Sequence, residues 1–287
     1  MERAHRPRWA NVWGFLAATY GLAWLIWLPG ILWAGDEPPL WLIVLGAFAP
    51  STIGIVFTYL TQDRAGRRDF WRRVVDVRRI GWRWGLVILL VFPVVHGISI
   101  VVYTLLGGSP PSLAGAFQTL LTPGLMLQII VANLIISGFS EELGWRGYAL
   151  DPLQARWGAL RASLVLGLVH SLWHLPLFFI PGITQGEMGL FSLGALVFMA
   201  GGPAGAIIFT WVYNNTRRSI LSAVLLHFMI NLSLDVLLGL QAGLPTGYSA
   251  VYTGVLLLVD VGIAIGWGAR TLRRRPRPAE ARRAPAA

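Results

Sequence analysis

The sequence predicts an all-α membrane protein, a polytopic bundle of about eight transmembrane helices. Of its 287 residues, 55% are hydrophobic and 13% are charged, whereas soluble domains carry roughly 25% charged residues. Eight segments are apolar enough and long enough to cross a hydrocarbon core about 30 Å thick. The connectors between these segments alternate between arginine-rich and arginine-free, as expected for a chain that crosses the membrane repeatedly.

Each predicted span holds about 20 mostly apolar residues, the length that crosses a bilayer as a helix. The first apolar run follows a basic flank, but it exceeds the roughly 7–15 residues of a cleavable signal, so we expect it to be retained. The spans are placed at residues 10–33, 40–62, 84–106, 122–148, 159–180, 190–213, 218–239 and 248–270.

Arginine supplies all of the basic residues, 23 in number, and the net charge is +10. The arginines lie in alternate connectors and in both terminal flanks, which predicts that both termini are cytoplasmic. Because they sit between apolar runs and do not line one face, they indicate membrane orientation and no nucleic-acid partner. The segment 62–84 is either an amphipathic helix on anionic lipid or a solvated connector. The lack of cysteine excludes disulfides and thiolate sites.

Ionisable side chains inside the spans are functional candidates, because each costs at least ~2.5–3.5 kcal/mol to insert. The fourth span ends with Glu141, Glu142 and Arg146. Adjacent residues of a helix point about 100° apart, whereas residues four apart share a face. We therefore expect Glu142 to pair with Arg146 and Glu141 to face a cavity as a base. The competing interpretation is a polar cap at a cytoplasmic helix end.

Histidine and amide side chains recur at helical spacing in two further spans. His170 and His174 are four apart in the fifth span; His227 and Asn231 are four apart in the seventh, with Asp235 one turn further. At about 1.5 Å of rise per residue, these groups reach comparable depths and are expected to converge. A polar helix-packing contact is the alternative. Three isolated polar residues are interpreted as structural: His96, Asn133 and Asp260.

A carboxylate near imidazoles and an amide, shielded from bulk solvent, suits hydrolysis of an amide bond by water. Glu141 would take the proton of a water that His174 aligns, and His227 with Asn231 would stabilise the developing oxyanion. A metal-dependent version instead uses Zn²⁺ held by His174, His227 and Glu141 to activate the water. The sequence leaves both versions open, so the expected cofactor is Zn²⁺ or none.

Together these motifs resemble the CPBP intramembrane proteases, a family named for CAAX prenyl proteases and bacteriocin-processing enzymes and also called Abi proteins. The family pattern is EExxxR, then FxxxH about thirty residues on, then a later HxxxN. The matching residues are Glu141, Glu142, Arg146, His174, His227 and Asn231. His170 departs from the pattern, because it occupies the aromatic position of FxxxH; it either joins the site or packs against it. The resemblance covers about residues 129–238.

The resemblance implies a multi-pass protease of the cell membrane, metal-dependent or glutamate-dependent, in which those six matching residues are catalytic. Its implied partners are the lipid bilayer and a peptide or protein substrate cut near the membrane surface, after a prenylated cysteine in the eukaryotic branch. Residues 1–121 then form N-terminal spans with a basic cytoplasmic loop, 122–240 the catalytic core, and 241–287 the last span with a basic disordered tail. A catalytically silent scaffold or immunity protein and a proton-coupled transporter remain alternatives, and the oligomeric state is open.

Overall fold

The computed structural model describes residues 11–33, 38–110, 113–238 and 245–273. In these ranges all regular elements are helical, and eight helical segments have the length and apolar composition of membrane spans. The predicted all-α, multi-pass fold is thereby confirmed. The predicted disorder of the tail falls mostly on residues after 273, outside the described ranges. The cytoplasmic location of both termini stays a prediction.

The described part of the chain contains twelve α-helices. Their bounds are α1 Val12–Ile31, α2 Leu40–Ala47, α3 Ala49–Thr61, α4 Arg64–Val75, α5 Gly81–Leu105, α6 Leu113–Leu120, α7 Pro123–Trp157, α8 Ala159–Trp173, α9 Thr184–Met188, α10 Leu193–Asn215, α11 Ile220–Leu238 and α12 Thr246–Trp267. Two segments of the longest one, α7, have the wider turns of a π-helix. Helices α2 and α3 together form the second span. A 3₁₀ turn, Leu175–Phe179, continues α8.

Helix α7 is much longer than the predicted span 122–148. It runs for 35 residues from Pro123 to Trp157, which at 1.5 Å per residue is about 52 Å, well beyond the hydrocarbon thickness. Its last part, Leu150–Trp157, is amphipathic and ends at Gly158, whose positive φ of 77° terminates the helix. The extra length carries α7 beyond its predicted apolar span, to the side of the bundle where the arginine-rich connectors lie.

The arginine-rich segment 62–84 contains a helix that packs on the protein. Asp63 caps α4, its Oδ1 accepting from the Gly66 backbone N–H at 2.9 Å. Phe70 and Val74, which are four residues apart on one helical face, are buried, whereas Val77 lies beyond the helix and is exposed. The segment is therefore helical between Arg64 and Val75, but its apolar residues Phe70 and Val74 are covered by protein, so the expectation that this face lies on anionic lipid is not borne out.

Two hydrophobic cores lie side by side in the bundle. The first is built mainly from α1, α3, α7 and α8, and the second mainly from α5, α10, α11 and α12. The residues predicted to form the site lie on three helices: the acids and Arg146 on α7, the histidine pair at the end of α8, and His227 with Asn231 on α11. The candidate site therefore occupies the seam between the two cores.

Glycines set two close helix contacts beside that seam. A Cβ at Gly144 of α7 would lie 2.2 Å from the carbonyl oxygen of Pro50 in α3. A Cβ at Gly202 of α10 would lie 1.9 Å from Oγ of Ser171 in α8. No other residue fits at either contact without moving a helix. The helix is continuous through residues 201–205, and within this segment the close glycine contact is at Gly202, since a Cβ at Gly205 would meet nothing within 4 Å.

Candidate active site

The two adjacent carboxylates lie in a short α-helical segment between two π-helical segments of α7. Asn133–Phe139 and Trp145–Ala149 are π-helical, and Ser140–Gly144 between them carries Glu141 and Glu142. Wide π turns change the direction of the side chains that follow and occur frequently at functional sites. Both carboxylates are buried, Glu142 completely.

Glu142 is held by a cation on its own helix and by an imidazole from α11. Arg146 Nη1 donates to both of its carboxylate oxygens, at 2.8 and 3.0 Å, which confirms the predicted pair. His227 Nδ1 lies 2.8 Å from Oε1 of the same carboxylate. The ring of Phe209 covers the Arg146 guanidinium at 4.1 Å and packs edge-on to His227. Glu142 therefore ties α11 to α7.

Glu141 faces the other helix, α8. Its Oε2 lies 2.6 Å from Nε2 of His170, yet this contact lacks hydrogen-bond geometry, and neither atom has another hydrogen-bond partner within the described residues. One nitrogen of His174 belongs to the same group, since the ligand atoms of the three residues all lie within 4.8 Å of one another. His170 thus joins the cluster, which decides the alternative left open by the sequence.

The ring orientation of His174 follows from its own helix. Its Nδ1 lies 2.9 Å from the carbonyl oxygen of His170, and only a protonated nitrogen can donate to a carbonyl. Nε2 of a neutral His174 therefore keeps its lone pair. Phe198 of α10 packs edge-on against the ring at 5.4 Å, which holds the imidazole in place.

Helix α1 supports the end of α8 that carries both histidines. The Tyr20 hydroxyl donates to the carbonyl of Val169, and the Trp24 indole N–H donates to the carbonyl of Trp173 at 3.0 Å. Pro176 lies just beyond the end of α8, where it cannot donate a backbone hydrogen bond. Side chains of α1 thus bind backbone carbonyls near the end of α8, where the α-helix gives way to a 3₁₀ turn.

Asn231 lies between two bonds that connect α11 to α7. His227, four residues before it, contacts Glu142, and Asp235, four residues after it, accepts from Asn133 Nδ2 at 2.7 Å. Asn231 is partly exposed and makes no side-chain hydrogen bond with the described residues. Its carboxamide is therefore free to bind a ligand. Asn133, interpreted from the sequence as an isolated residue, has a partner in Asp235.

The group that could hold a metal ion differs from the predicted set. The sequence interpretation chose His174, His227 and Glu141, whereas the residues whose ligand atoms converge are Glu141, His170 and His174. His227 instead directs its Nδ1 at Glu142 and is not part of the group whose ligand atoms converge within 4.8 Å. His170 takes its place because it lies one turn before His174 on the same face of α8.

A second polar network at the arginine-bearing end of α7 was not anticipated from the sequence. Asp151 accepts from the Tyr213 hydroxyl at 2.9 Å, from Arg73 at 3.2 Å, and from Arg218. Burial alone would lower the pKa of Arg218, but the hydrogen bond and charge of Asp151 outweigh this and raise it. Arg73 also donates to the carbonyl of Gly147. The network fixes α4, α7 and α10 to each other beside the second π segment.

Fold and site together define a class: a polytopic membrane protein with a buried carboxylate and imidazole centre equipped for acid–base chemistry. Comparison with known proteins shows which family within this class the chain belongs to. The family model described as type II CAAX prenyl endopeptidase Rce1-like matches residues 122–233. The chain is also 30% identical over 261 residues to CAAX prenyl protease 2 of Methanococcus maripaludis, covering 88% of this chain and 92% of that protein. The chain belongs to the CAAX prenyl protease family, which confirms the resemblance drawn from the motifs.

Proposed function

We propose that this chain is an intramembrane endopeptidase in which Glu141 activates the water that hydrolyses a membrane-proximal peptide bond. One observation carries the proposal: Glu141 and two imidazoles of α8 converge within 4.8 Å of one another inside a membrane span. Family membership supports proteolysis as the reaction class. The roles given to individual residues are our own proposal.

The first step forms the tetrahedral intermediate. Glu141 takes one proton from water, and the water oxygen forms a bond to the peptide carbonyl carbon as the carbonyl electrons move onto oxygen. The free Nε2 lone pair of His174 accepts a hydrogen bond from the second water proton and orients the nucleophile. His170, whose Nε2 lies 2.6 Å from Oε2 of Glu141, packs against the carboxylate and limits its movement.

The oxyanion faces α11 in this scheme. The Asn231 amide, which has no partner among the described residues, donates to the oxygen that gains charge. His227 donates from Nε2 when its ring is protonated, and Glu142, 2.8 Å from Nδ1, stabilises the imidazolium. The intermediate then collapses: the C–N bond breaks, and the proton held by Glu141 passes to the leaving amine. Glu141 is left ionised for the next turnover.

A divalent metal ion fits the same residues. Oε2 of Glu141 and Nε2 of His170 are buried without hydrogen-bond partners among the described residues, and Nε2 of His174 keeps a lone pair. Carboxylate oxygen and neutral imidazole are the donors that Zn²⁺ accepts in catalytic sites. Zn²⁺ bound by Glu141, His170 and His174 would supply Lewis acidity at the point where the carbonyl and water meet.

For the substrate, we propose a peptide that carries a lipid group close to the scissile bond. The archaeal relative is named a CAAX prenyl protease, and the centre of this chain lies among apolar spans. A lipid-modified peptide partitions into the bilayer and so reaches such a centre at a higher local concentration than a soluble peptide. An unmodified peptide of the same sequence is the natural comparison.

The test uses the full chain purified in detergent and two quenched peptides, one farnesylated near its C-terminus and one unmodified. Glu141→Gln should abolish cleavage of both, measured by mass spectrometry of the products. Glu187→Gln is the control, because Glu187 is an exposed acid on α9 outside the site. The base assignment is wrong if Glu141→Gln cleaves as fast as the parent. Cleavage of neither peptide by the parent contradicts the proposed function.

A further inference from the structure

A carboxylate with one uncommitted oxygen lies further along the stripe that carries His227 and Asn231. Asp235 is on α11 inside the seventh span, partly exposed, and its Oδ2 accepts a single hydrogen bond from Asn133 at 2.7 Å. Within the described residues it has no ion pair, and its Oδ1 has no hydrogen bond. Glu142 differs, because its oxygens bind Arg146 and His227.

Such a carboxylate is expensive to place in a membrane span. At the centre of a span an acid costs about 2.5 to 3.5 kcal/mol to insert on translocon scales. Asp235 lies two residues before the end of its span at Leu237, where the cost is smaller, but acids within spans normally pair with one another or with a cation or serve a function. One neutral amide donor compensates little of the charge of Asp235. A helix-packing contact alone would be met by a neutral side chain at lower cost. No group of the described residues occupies the free oxygen, so we infer that it binds a group from outside the chain.

The spacing along α11 fixes which part of a substrate would reach it. Asn231 and Asp235 are one helical turn apart, about 6 Å along the axis. An extended peptide advances about 3.3 Å per residue, so this distance corresponds to two residues. A peptide lying along α11 with its scissile carbonyl at Asn231 would place a side chain two residues away beside Asp235.

We propose that Asp235 is a specificity residue that binds a cationic side chain, lysine or arginine, two residues from the scissile bond. A cation gains most from an under-compensated carboxylate in a medium of low dielectric. The long aliphatic stems of lysine and arginine also suit an approach through apolar walls. The hydrogen bond from Asn133 holds Oδ2 of the carboxylate and leaves Oδ1 for the substrate. The inference rests on the proposed peptidase function.

The experiment compares peptides that differ only at the second residue on either side of the mapped cleavage site, with lysine or norleucine there. For the parent chain, kcat/KM should be about tenfold or more higher for lysine at one of these positions, as expected for a hydrogen bond to a charged group. Asp235→Asn keeps an oxygen that can accept from Asn133 and should reduce this ratio to within about twofold of one. An unchanged midpoint of thermal unfolding in detergent shows that the variant is folded.

Asp260→Asn is the matched control. Asp260 is an acid in a different span, on α12; unlike Asp235 it is buried, and its carboxylate has no hydrogen-bond partner among the described residues. Because it lies away from α11, the Asp260→Asn variant should keep the parental ratio. Absence of a lysine preference in an active parent overturns the inference alone. So does a preference that survives in Asp235→Asn. A parent that cleaves none of the peptides overturns the proposed function, and the inference with it.

Discussion

Nδ1 of His227 lies 2.8 Å from Oε1 of Glu142, and this contact joins α11 to α7 across the seam of the two cores. Arg146 binds the same carboxylate. The neighbouring acid, Glu141, has neither a cation of fixed charge nor a well-formed hydrogen bond to its Oε2 within the described residues. The two adjacent glutamates therefore have different surroundings: Glu142 is bound by Arg146 and His227, whereas Oε2 of Glu141 has no hydrogen bond among the described residues. This difference supports the proposal that Glu142 positions other groups and Glu141 transfers the proton.

This difference predicts that two conservative variants, Glu142→Gln and Glu141→Gln, differ in their stability to unfolding. Glu142→Gln leaves Arg146 buried without its counter-charge, which should lower the free energy of unfolding by about 3 to 5 kcal/mol. Glu141→Gln removes an acid with no fixed cationic partner and should change stability by less than about 1 kcal/mol. Thermal unfolding in detergent, followed by the fluorescence of the 14 tryptophans, measures both. Equal stability of the two variants would contradict the assignment.

The role of Asn231 is testable through kcat. Asn231→Ala should lower kcat by about 10² to 10³, the usual loss on removing one oxyanion donor, with little change in KM. Ser233→Ala is the control on the same helix, because Ser233 is buried and its hydroxyl donates to the carbonyl of Met229 on its own helix. A drop in KM and kcat together, or an equal effect of both substitutions, would argue against an oxyanion contact.

His170 allows a test of metal binding that does not depend on activity. We expect the full chain to bind one Co²⁺ per molecule, visible by its absorption in the visible range, with Zn²⁺ displacing it. His170→Phe restores the aromatic residue of the FxxxH pattern, removes one of three ligands and should lower the affinity at least about tenfold. Unchanged Co²⁺ absorption in His170→Phe would exclude it as a ligand, and His227→Phe should keep the absorption.

Sequence reasoning predicted the number of spans and the Glu142 to Arg146 pair because both depend on local rules. Apolar length defines a span, and a spacing of four residues defines a helix face. These rules use only neighbouring positions, so they need no knowledge of how helices pack. The length of α7 escaped the same reasoning, because its amphipathic last part has too few apolar residues to be read as membrane.

The choice of partners across helices could not be predicted in the same way. Whether His227 contacts Glu141 or Glu142 depends on the π segment Asn133–Phe139, which precedes both glutamates and shifts the direction of their side chains. Asn133 and Asp235 are 102 residues apart, so no spacing rule connects them. The signal that did exist for His170 was its distance of four residues from His174, on one face of α8.

The contact of α3 with α7 should be as important for activity as the polar residues it supports. A Cβ at Gly144 would lie 2.2 Å from the carbonyl oxygen of Pro50, and Gly144 follows Glu142 by two residues. Gly144→Ala must therefore separate the helices or rotate the acids, which should lower stability by about 1 to 3 kcal/mol and reduce kcat.

Gly97→Ala is the control, since its Cβ would meet nothing within 4 Å in helix α5. That variant should be neutral or about 0.5 to 1 kcal/mol more stable, because alanine favours the helix. Measured unfolding and cleavage rates that are the same for the two variants would show that the close approach at Gly144 does not hold the acids in place.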